Sequence, residues 1–307
     1  MGVLILRRFL FAIPTLLIII ALAFFMMRLA PGGPFDKERQ LPSEIEANVK
    51  AAYDLDKPLP VQFAIYLSRL SRGDFGPSFT YKDFTVGELI LRGAPVSARL
   101  GFTALAVALM IGTLLGTVAA MRQNSPVDYA VMGTAMVGIT VPNYVIGPLL
   151  TLVFGIGLRV LPTGGWGGGA LDHMILPVTA LALPQIAIIA RLTRGGMIEV
   201  LRSNFVRTAR AKGLPEHQVI LRHALRGGLL PLVAYLGPAA AALVTGSLII
   251  EQIFQLPGIG RYFVVGAIQR DYTLVMGVVV FYASLIIILN MLADLLLAAL
   301  DPRVRID

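Results

Sequence analysis

Phe9–Met27 reads FLFAIPTLLIIIALAFFMM, nineteen residues without a charge between Arg8 and Arg28. A hydrocarbon core about 30 Å thick takes roughly 20 apolar helical residues to cross. This stretch therefore decides the class of the chain, and the same pattern recurs along it. Charge-free runs span 100–121 between Arg99 and Arg122, 129–158 between Asp128 and Arg159, and 173–190 between Asp172 and Arg191. Two more span 227–250 between Arg226 and Glu251, and 272–293 between Asp271 and Asp294, with apolar character continuing to Leu300. The expected fold is an all-α membrane protein of six transmembrane helices. Pro142 and Pro148 interrupt the third run, and Pro177 and Pro184 the short fourth. Proline is tolerated in such helices where neighbours or water re-satisfy the freed carbonyl.

Arg7-Arg8-Phe9 superficially resembles a twin-arginine export signal. The apolar run that follows is too long for a signal peptide, and no small-x-small cleavage site precedes Arg28, so an uncleaved anchor is expected.

Composition narrows the function. Of 307 residues 56% are hydrophobic and 14% charged, where a soluble domain carries about 25% charged residues. A water-soluble enzyme is excluded, and there is too little polar sequence for a nucleic-acid-binding face. Cysteine is absent, which removes disulfide scaffolds, thiolate metal sites and cysteine nucleophiles and leaves the redox compartment open. His173, His217 and His223 have no metal-ligand spacing together, and no Ser/His/Asp arrangement is suggested. No catalytic residue and no metal ligand is expected.

The formal charge of +8 has a place. Short basic loops favour the cytoplasm. The loop from Arg191 to Arg226 holds eight basic residues against Glu199 and Glu216; the N-terminal tail has Arg7 and Arg8, and the C-terminal tail Arg303 and Arg305. With six spans these three segments share one side, so both termini are expected in the cytoplasm. With Arg122, that side carries 13 basic and five acidic residues, whose difference is the whole net charge. Residues 29–95 then lie outside, after an N-terminal tail and first span over 1–28.

That outer segment reads as a small helical periplasmic insertion. Ser43-Glu44-Ile45-Glu46 and Thr85-Val86-Gly87-Glu88 both fit capping boxes, with Ile45, Val49 and Ala52 following the first at helical spacing. Gly73-Asp74-Phe75-Gly76-Pro77 reads as turns. Gly164–Gly169 is not a phosphate loop, because no strand precedes it; a flexible outer loop is expected. Gly112 and Gly116 form a Gly-x-x-x-Gly step suited to close helix packing.

The cytoplasmic loop is the most informative. Asn204 is expected to cap a helix over Phe205–Lys212, which Gly213 ends at C′. Pro215 suits the first turn of a second helix with Glu216 at its positive end, running through His217, Ile220, Arg222 and His223 until Gly227, Gly228 and Pro231 interrupt it. The resulting hairpin is basic, with small Ala209 and Ala211 among Arg207, Arg210 and Lys212. It fits either a groove with acidic walls or a lipid-headgroup surface.

The run Arg207-Thr208-Ala209-Arg210-Ala211-Lys212-Gly213-Leu214-Pro215, with Leu221–Arg226 and Leu229-Leu230-Pro231 after it, resembles the EAA loop of ABC-importer permeases, here about 200–231. More narrowly the chain resembles the dipeptide/oligopeptide branch, OppB/DppB type. Phe25–Gly32, Gly73–Ser78, Leu256-Pro257-Gly258-Ile259-Gly260 and Asp301-Pro302-Arg303 agree. At the first two positions of the general EAA pattern stand Arg207 and Thr208, as in the peptide branch; only Ala209 and Gly213 match the general form.

The resemblance implies a permease core over 96–307, in a multi-pass protein of the inner membrane. It implies a heterodimer with a homologous second permease subunit, two cytoplasmic ABC ATPases that hold ATP and Mg, and a periplasmic peptide-binding protein. Phe205, Arg207, Thr208, Ala209, Arg210, Lys212, Gly213, Leu214 and Pro215 would form the ATPase-coupling surface, with Ala209 and Gly213 allowing close approach and the cations meeting acids. The chain has no Gly-x-x-x-x-Gly-Lys-Ser/Thr, so no cofactor is expected on it and the cycle is powered in trans.

Polar residues within spans, Asn143, Tyr144 and Gln185, are candidates for the peptide path; residues of this kind also satisfy broken helix bonds. Asp294 near the end of the last span, one turn after Asn290, reads as an ion relay or as the structural partner of a nearby arginine, the latter preferred because a lone carboxylate makes a poor relay. Glu251 and Asp271 flank the last outer loop and either touch the binding protein or mark the water boundary. Two other readings remain: a permease of the same family for nickel or another small solute, and an ion-coupled secondary transporter, which would need more intramembrane carboxylates and inverted repeats.

Overall fold

The computed structural model describes residues 2–29 and 56–300. Regular structure among them is helical, apart from an isolated bridge between Pro77 and Thr85. The elements are α1 (Gly2–Leu29), α2 (Leu59–Leu70), α3 (Val86–Met121), α4 (Pro126–Thr140), and α5 (Asn143–Leu150), which runs on through a π-helical turn, Thr151–Gly157. Next come α6 (Leu171–Leu201), α7 (Asn204–Ala211), and α8 (Glu216–Gln218), continued by a π-helical turn, Val219–Ala224, and a last turn, Leu225–Gly228. Then follow α9 (Leu230–Ile253), α10 (Ile259–Gln269) and α11 (Tyr272–Leu300).

Five helices, α1, α3, α6, α9 and α11, are long and apolar enough to cross a membrane. The third run differs from a straight span: α4 and α5 meet at 100°. Pro142 lacks an N–H and its ring pushes the preceding residue out of the helical region. Val141 is accordingly extended, at φ −83° and ψ 118°. The pair makes a sixth span if the two arms cross as one. The fourth run is longer than its charge-free core, because α6 continues through Arg191 and Arg194 to Leu201. Helix α3 runs unbroken across residues 95 and 96, with Pro95 inside it, so no structural boundary separates the outer insertion from the core there. Its 36 residues make it about 54 Å long, well over the roughly 30 Å of hydrocarbon.

The Gly-x-x-x-Gly step works as expected. A β-carbon at Gly112 would stand 2.9 Å from the Ile186 carbonyl oxygen, and one at Gly116 would overlap the Ala190 carbonyl. Glycine lets α3 and α6 pack backbone to backbone, and the main core forms there, with Leu100, Ala104, Ala108, Leu181, Ile189 and Leu243 buried. A second cluster joins the start of α3 to α9, α10 and α11. Helix α1 is peripheral, held by Ile20 and Phe24 against Met276 and Val280 of α11.

The capping box at Thr85 is present: its hydroxyl accepts from the Glu88 amide at 3.3 Å, and the Glu88 carboxylate from the Thr85 amide at 2.9 Å. Gly73 and Gly76 sit at φ +76° and +85° in the turns that follow α2. The expected box at Ser43–Glu46 and the Asp301–Arg303 and Arg305 tail lie outside the described residues. The glycine run is anchored rather than free. Gly165 N–H donates to the Phe254 carbonyl at 2.8 Å, its own carbonyl lies 2.9 Å from His173 Nδ1, and Arg99 Nη2 donates to the Gly169 carbonyl at 2.9 Å. Gly165, Gly167, Gly168 and Gly169 all have positive φ, so the run folds tightly around these partners.

Candidate coupling hairpin and substrate path

Helix α6 ends at Leu201, and Ser203, not Asn204, occupies the cap of α7, with φ −70° and ψ 156°. The Ser203 carbonyl accepts from Arg207 N–H at 3.2 Å, while its hydroxyl donates back to the Val200 carbonyl at 2.6 Å. That back-bond pins the bend between α6 and α7 and leaves Asn204 as the first helical residue. At the other end Gly213 N–H donates to Arg210 O at 2.9 Å and Leu214 N–H to Ala209 O at 3.4 Å. This is the Schellman closure that a left-handed residue at C′ permits, and Gly213 has φ +76°. Pro215 caps α8 instead of entering its first turn; its carbonyl accepts from Gln218 and Val219.

Helix α7 has two faces. Val206 and Ala209 are buried against Val219, Ile220 and Ala224 of the returning helical arm of the hairpin, Met197 of α6 and Ala120 of α3. Phe205, Arg207, Thr208, Arg210, Lys212, Gly213 and Pro215 are exposed, and Leu214 is half-buried. Ala209 was expected on the partner-facing surface; spacing of three residues from Val206 places it inward instead. Arg210 reaches Glu216, which holds the Glu216 carboxyl below the usual carboxylate range and raises the guanidinium.

The hairpin is clamped to α6. A β-carbon at Gly196 would overlap the Gly228 carbonyl, and one at Gly228 would lie 2.6 Å from Met197 Sδ. Gly228 thus serves the crossing of the hairpin over α6, while the helix breaks one residue later at Leu229. Next to this crossing is an ion pair between a buried carboxylate and a half-buried guanidinium. Asp128, only 1% exposed, accepts from Arg194 Nε at 2.5 Å and Nη2 at 2.6 Å, and from the Asn124 amide at 2.9 Å. Arg202 Nη2 donates to Gln123 Oε1 at 3.0 Å. Ser125-Pro126-Val127-Asp128 is a helix-start signal, and it could have drawn attention to Asp128.

The path candidates divide. Gln185 of α6 is buried and accepts from Tyr235 O–H of α9 at 3.0 Å. Asn143 is half-buried and Tyr144 exposed, both at the start of α5 just past the bend. No hydrogen bond joins them to Gln185 among the described residues. Asp294 lies 2.9 Å from Arg8 of α1, the structural pairing. Glu251 and Asp271 are fully buried, which corrects both surface readings. Glu251 Oε2 accepts from Gly260 N–H at 2.7 Å; Asp271 accepts from Ser78 O–H at 2.5 Å, Thr80 N–H at 2.9 Å and Leu274 N–H at 3.0 Å. They organise the turns at the end opposite the hairpin. No group of three His, Asp or Glu suited to a metal occurs among the described residues.

Comparisons with known proteins agree with this architecture. The oligopeptide transport system permease protein OppB of Salmonella typhimurium is 55% identical over 301 residues, 98% of each chain. The dipeptide transport system permease protein DppB of Bacillus subtilis is 43% identical over 300 residues, 98% of this chain and 97% of that one. Among solved structures, an amino acid ABC transporter matches with a TM-score of 0.50 at 17% identity, covering 71% of this chain and 94% of that one, a likeness of fold. Residues 112–306 match the family described as binding-protein-dependent transport system inner membrane components. On that match and on full-length identity above one half, the chain belongs to this family of inner-membrane transport components.

Proposed function

We propose that the chain is one permease half of a peptide importer, crossing the inner membrane six times with both termini in the cytoplasm. It pairs with a homologous second permease subunit. Two ATP-binding-cassette subunits carrying MgATP dock on the hairpin, and a periplasmic binding protein delivers peptide from the other side. The relatives' names support the peptide cargo, and family membership makes the chain a transport subunit, not an enzyme.

One observation carries the reading: α7 buries Val206 and Ala209 on its own membrane helices and turns Phe205, Arg207, Arg210 and Lys212 outward. A short helix fixed on one face and basic on the other is a handle. Closure of the ATPases displaces it, and the Gly196/Gly228 crossing passes the displacement to α6. The Gln185–Tyr235 bond carries α9 along. The cavity between the two permease halves then opens outward to take peptide, and ATP hydrolysis resets it. Asn143, Tyr144 and Gln185 would meet the peptide. The Arg8–Asp294 pair engages the carboxylate of the last span in an ion pair, which argues against its use as an ion relay.

The test uses the assembled complex with tagged ATPases and labelled peptide. Gly213→Val has room for its side chain but strains a backbone at φ +76°. It should leave the ATPases co-purifying and hydrolysing ATP while peptide uptake fails. Normal coupled uptake by this variant, uptake without ATPases, or nickel uptake that peptide does not compete with would each overturn the proposal.

A further inference from the structure

The pair of buried Asp128 and half-buried Arg194 has no part in the transport cycle described above. It joins the start of α4 to the part of α6 next to the hairpin crossing, and α4 leads to the bend where Asn143 and Tyr144 sit. The connection from α3 to α4 is the turn Arg122–Ser125, with Asn124 in the left-handed region at φ 62°. A turn of four residues sets where α4 begins but not its tilt. The other ties of α4 to α6 are weaker: of the residues of α4 only Asp128 and Ala135 are buried, Gly138 packs on Leu183 and Ala187, and Met136 Sδ accepts from the exposed Arg191.

A buried carboxylate is expensive unless paired and hydrogen-bonded. Here both oxygens are used. Arg194 takes them in a two-point fork, which fixes angle as well as distance, and the Asn124 amide holds the carboxylate from behind at 2.9 Å. Arg202 adds a second tie to the same turn, at Gln123, 3.0 Å away. Both arginines sit on α6 or at its cap, within eight residues of each other and directly before α7.

We propose that Asp128 and Arg194 are positioning residues for transport: their bond makes α4 move as one body with α6, so that displacement of the hairpin reaches the bend at Val141–Pro142. The proposal rests on the transport function above and names the link by which the broken span follows the ATPases. Loss of the bond leaves α4 pivoting on Asn124 while α6 still follows the hairpin. ATP is then hydrolysed without peptide movement.

The chain has no cysteine, which permits a direct test. A β-carbon at Gly138 of α4 would stand 3.4 Å from that of Ala187 of α6, close to the roughly 3.5–4.5 Å of a disulfide. The pair lies on the same two helices, far from the ion pair along α4. In the assembled complex, oxidised Gly138→Cys/Ala187→Cys should take up peptide at the rate of its reduced form. Asp128→Asn should keep ATP hydrolysis and lower uptake about tenfold, near the upper range for single residues on a coupling route. Oxidising the cysteine pair in the Asp128→Asn background should restore uptake, because a covalent link replaces the ionic one. A residue needed only for folding, or only for contact with peptide, gains nothing from that link.

Uptake that stops on oxidation and returns on reduction, with Asp128 intact, overturns the proposal, as does failure of the disulfide to restore Asp128→Asn. Should Asp128→Asn not assemble, Arg194→Lys, which keeps the charge and loses the fork, takes its place under the same criteria. Uptake by the unmodified complex, measured alongside, reports separately on the transport reading.

Discussion

Arg210 and Glu216 close the turn of the hairpin on each other, with Arg210 Nη2 2.6 Å and Nε 3.1 Å from the two carboxylate oxygens of Glu216. The bond spans Gly213, the residue that gives the turn its shape. The pair is about half exposed on both sides, so it contributes only about 0.2–1 kcal/mol to holding the hairpin. Its pH dependence has a definite sign. Arg210 holds the Glu216 carboxyl below its ordinary 4.5, so the stabilisation is fully present above 4.5 and is lost as pH falls through the folded value. Near neutral pH the latch is on. Hydrogen exchange at the Gly213 and Leu214 amides should speed up, after correction for the intrinsic rate, as pH drops below 4.5; Glu216→Gln should show the faster exchange already at pH 7 and no further acceleration at low pH.

The inward placement of Ala209 separates two roles within one short helix. Ala209→Asp puts an unpaired charge among Val219, Ile220 and Met197, at a loss of about 3–5 kcal/mol, so the hairpin should come off its own membrane helices and become protease-sensitive. Arg207→Glu changes an exposed residue; the hairpin should stay protected while ATPase co-purification falls and becomes less dependent on salt. Equal protection in both variants would put Ala209 on the surface.

What could be read beforehand follows from the range of the interactions. Runs between charges such as Arg8 and Arg28 mark helices, because lipid leaves the backbone few other choices. The Thr85 capping box and the left-handed Gly213 are equally local, and both formed. Side-chain direction on α7 was legible in principle from the Val206/Ala209 spacing, but a match to a surface motif outweighed it. Tertiary partners were not legible. Nothing within ten residues of Asp128 announces Arg194, and the burial of Glu251 depends on a loop that folds back from Gly258. The path candidates are the least legible: Asn143 and Tyr144 sit together at the start of α5, whereas Gln185 pairs with Tyr235 of α9.

Glu251 can be tested where it acts, as an acceptor for the turn after α9. Its Oε2 takes the Gly260 amide at 2.7 Å, and a β-carbon at Gly258 would overlap it. Glu251→Gln keeps an acceptor oxygen and should change the thermal midpoint in detergent little. Glu251→Ala leaves the Gly260 amide buried without its partner, a loss of about 1–3 kcal/mol. If alanine is tolerated as well as glutamine, the turn does not depend on this bond.

Two glycines in membrane helices give opposite expectations from one substitution. At Gly133 of α4 nothing lies within 4 Å of an added β-carbon, whereas at Gly116 of α3 it overlaps the Ala190 carbonyl. Gly133→Ala should leave stability unchanged or raise it by about 0.5–1 kcal/mol, because alanine has less backbone freedom to lose in a helix. Gly116→Ala must push α3 away from α6 along their shared seam, where overpacking typically costs about 1–3 kcal/mol, and the displaced atom is backbone that cannot rotate aside. Thermal unfolding of the two variants in one detergent cancels micelle effects. A destabilised Gly133→Ala beside a neutral Gly116→Ala would mean that α3 and α6 do not touch at this step.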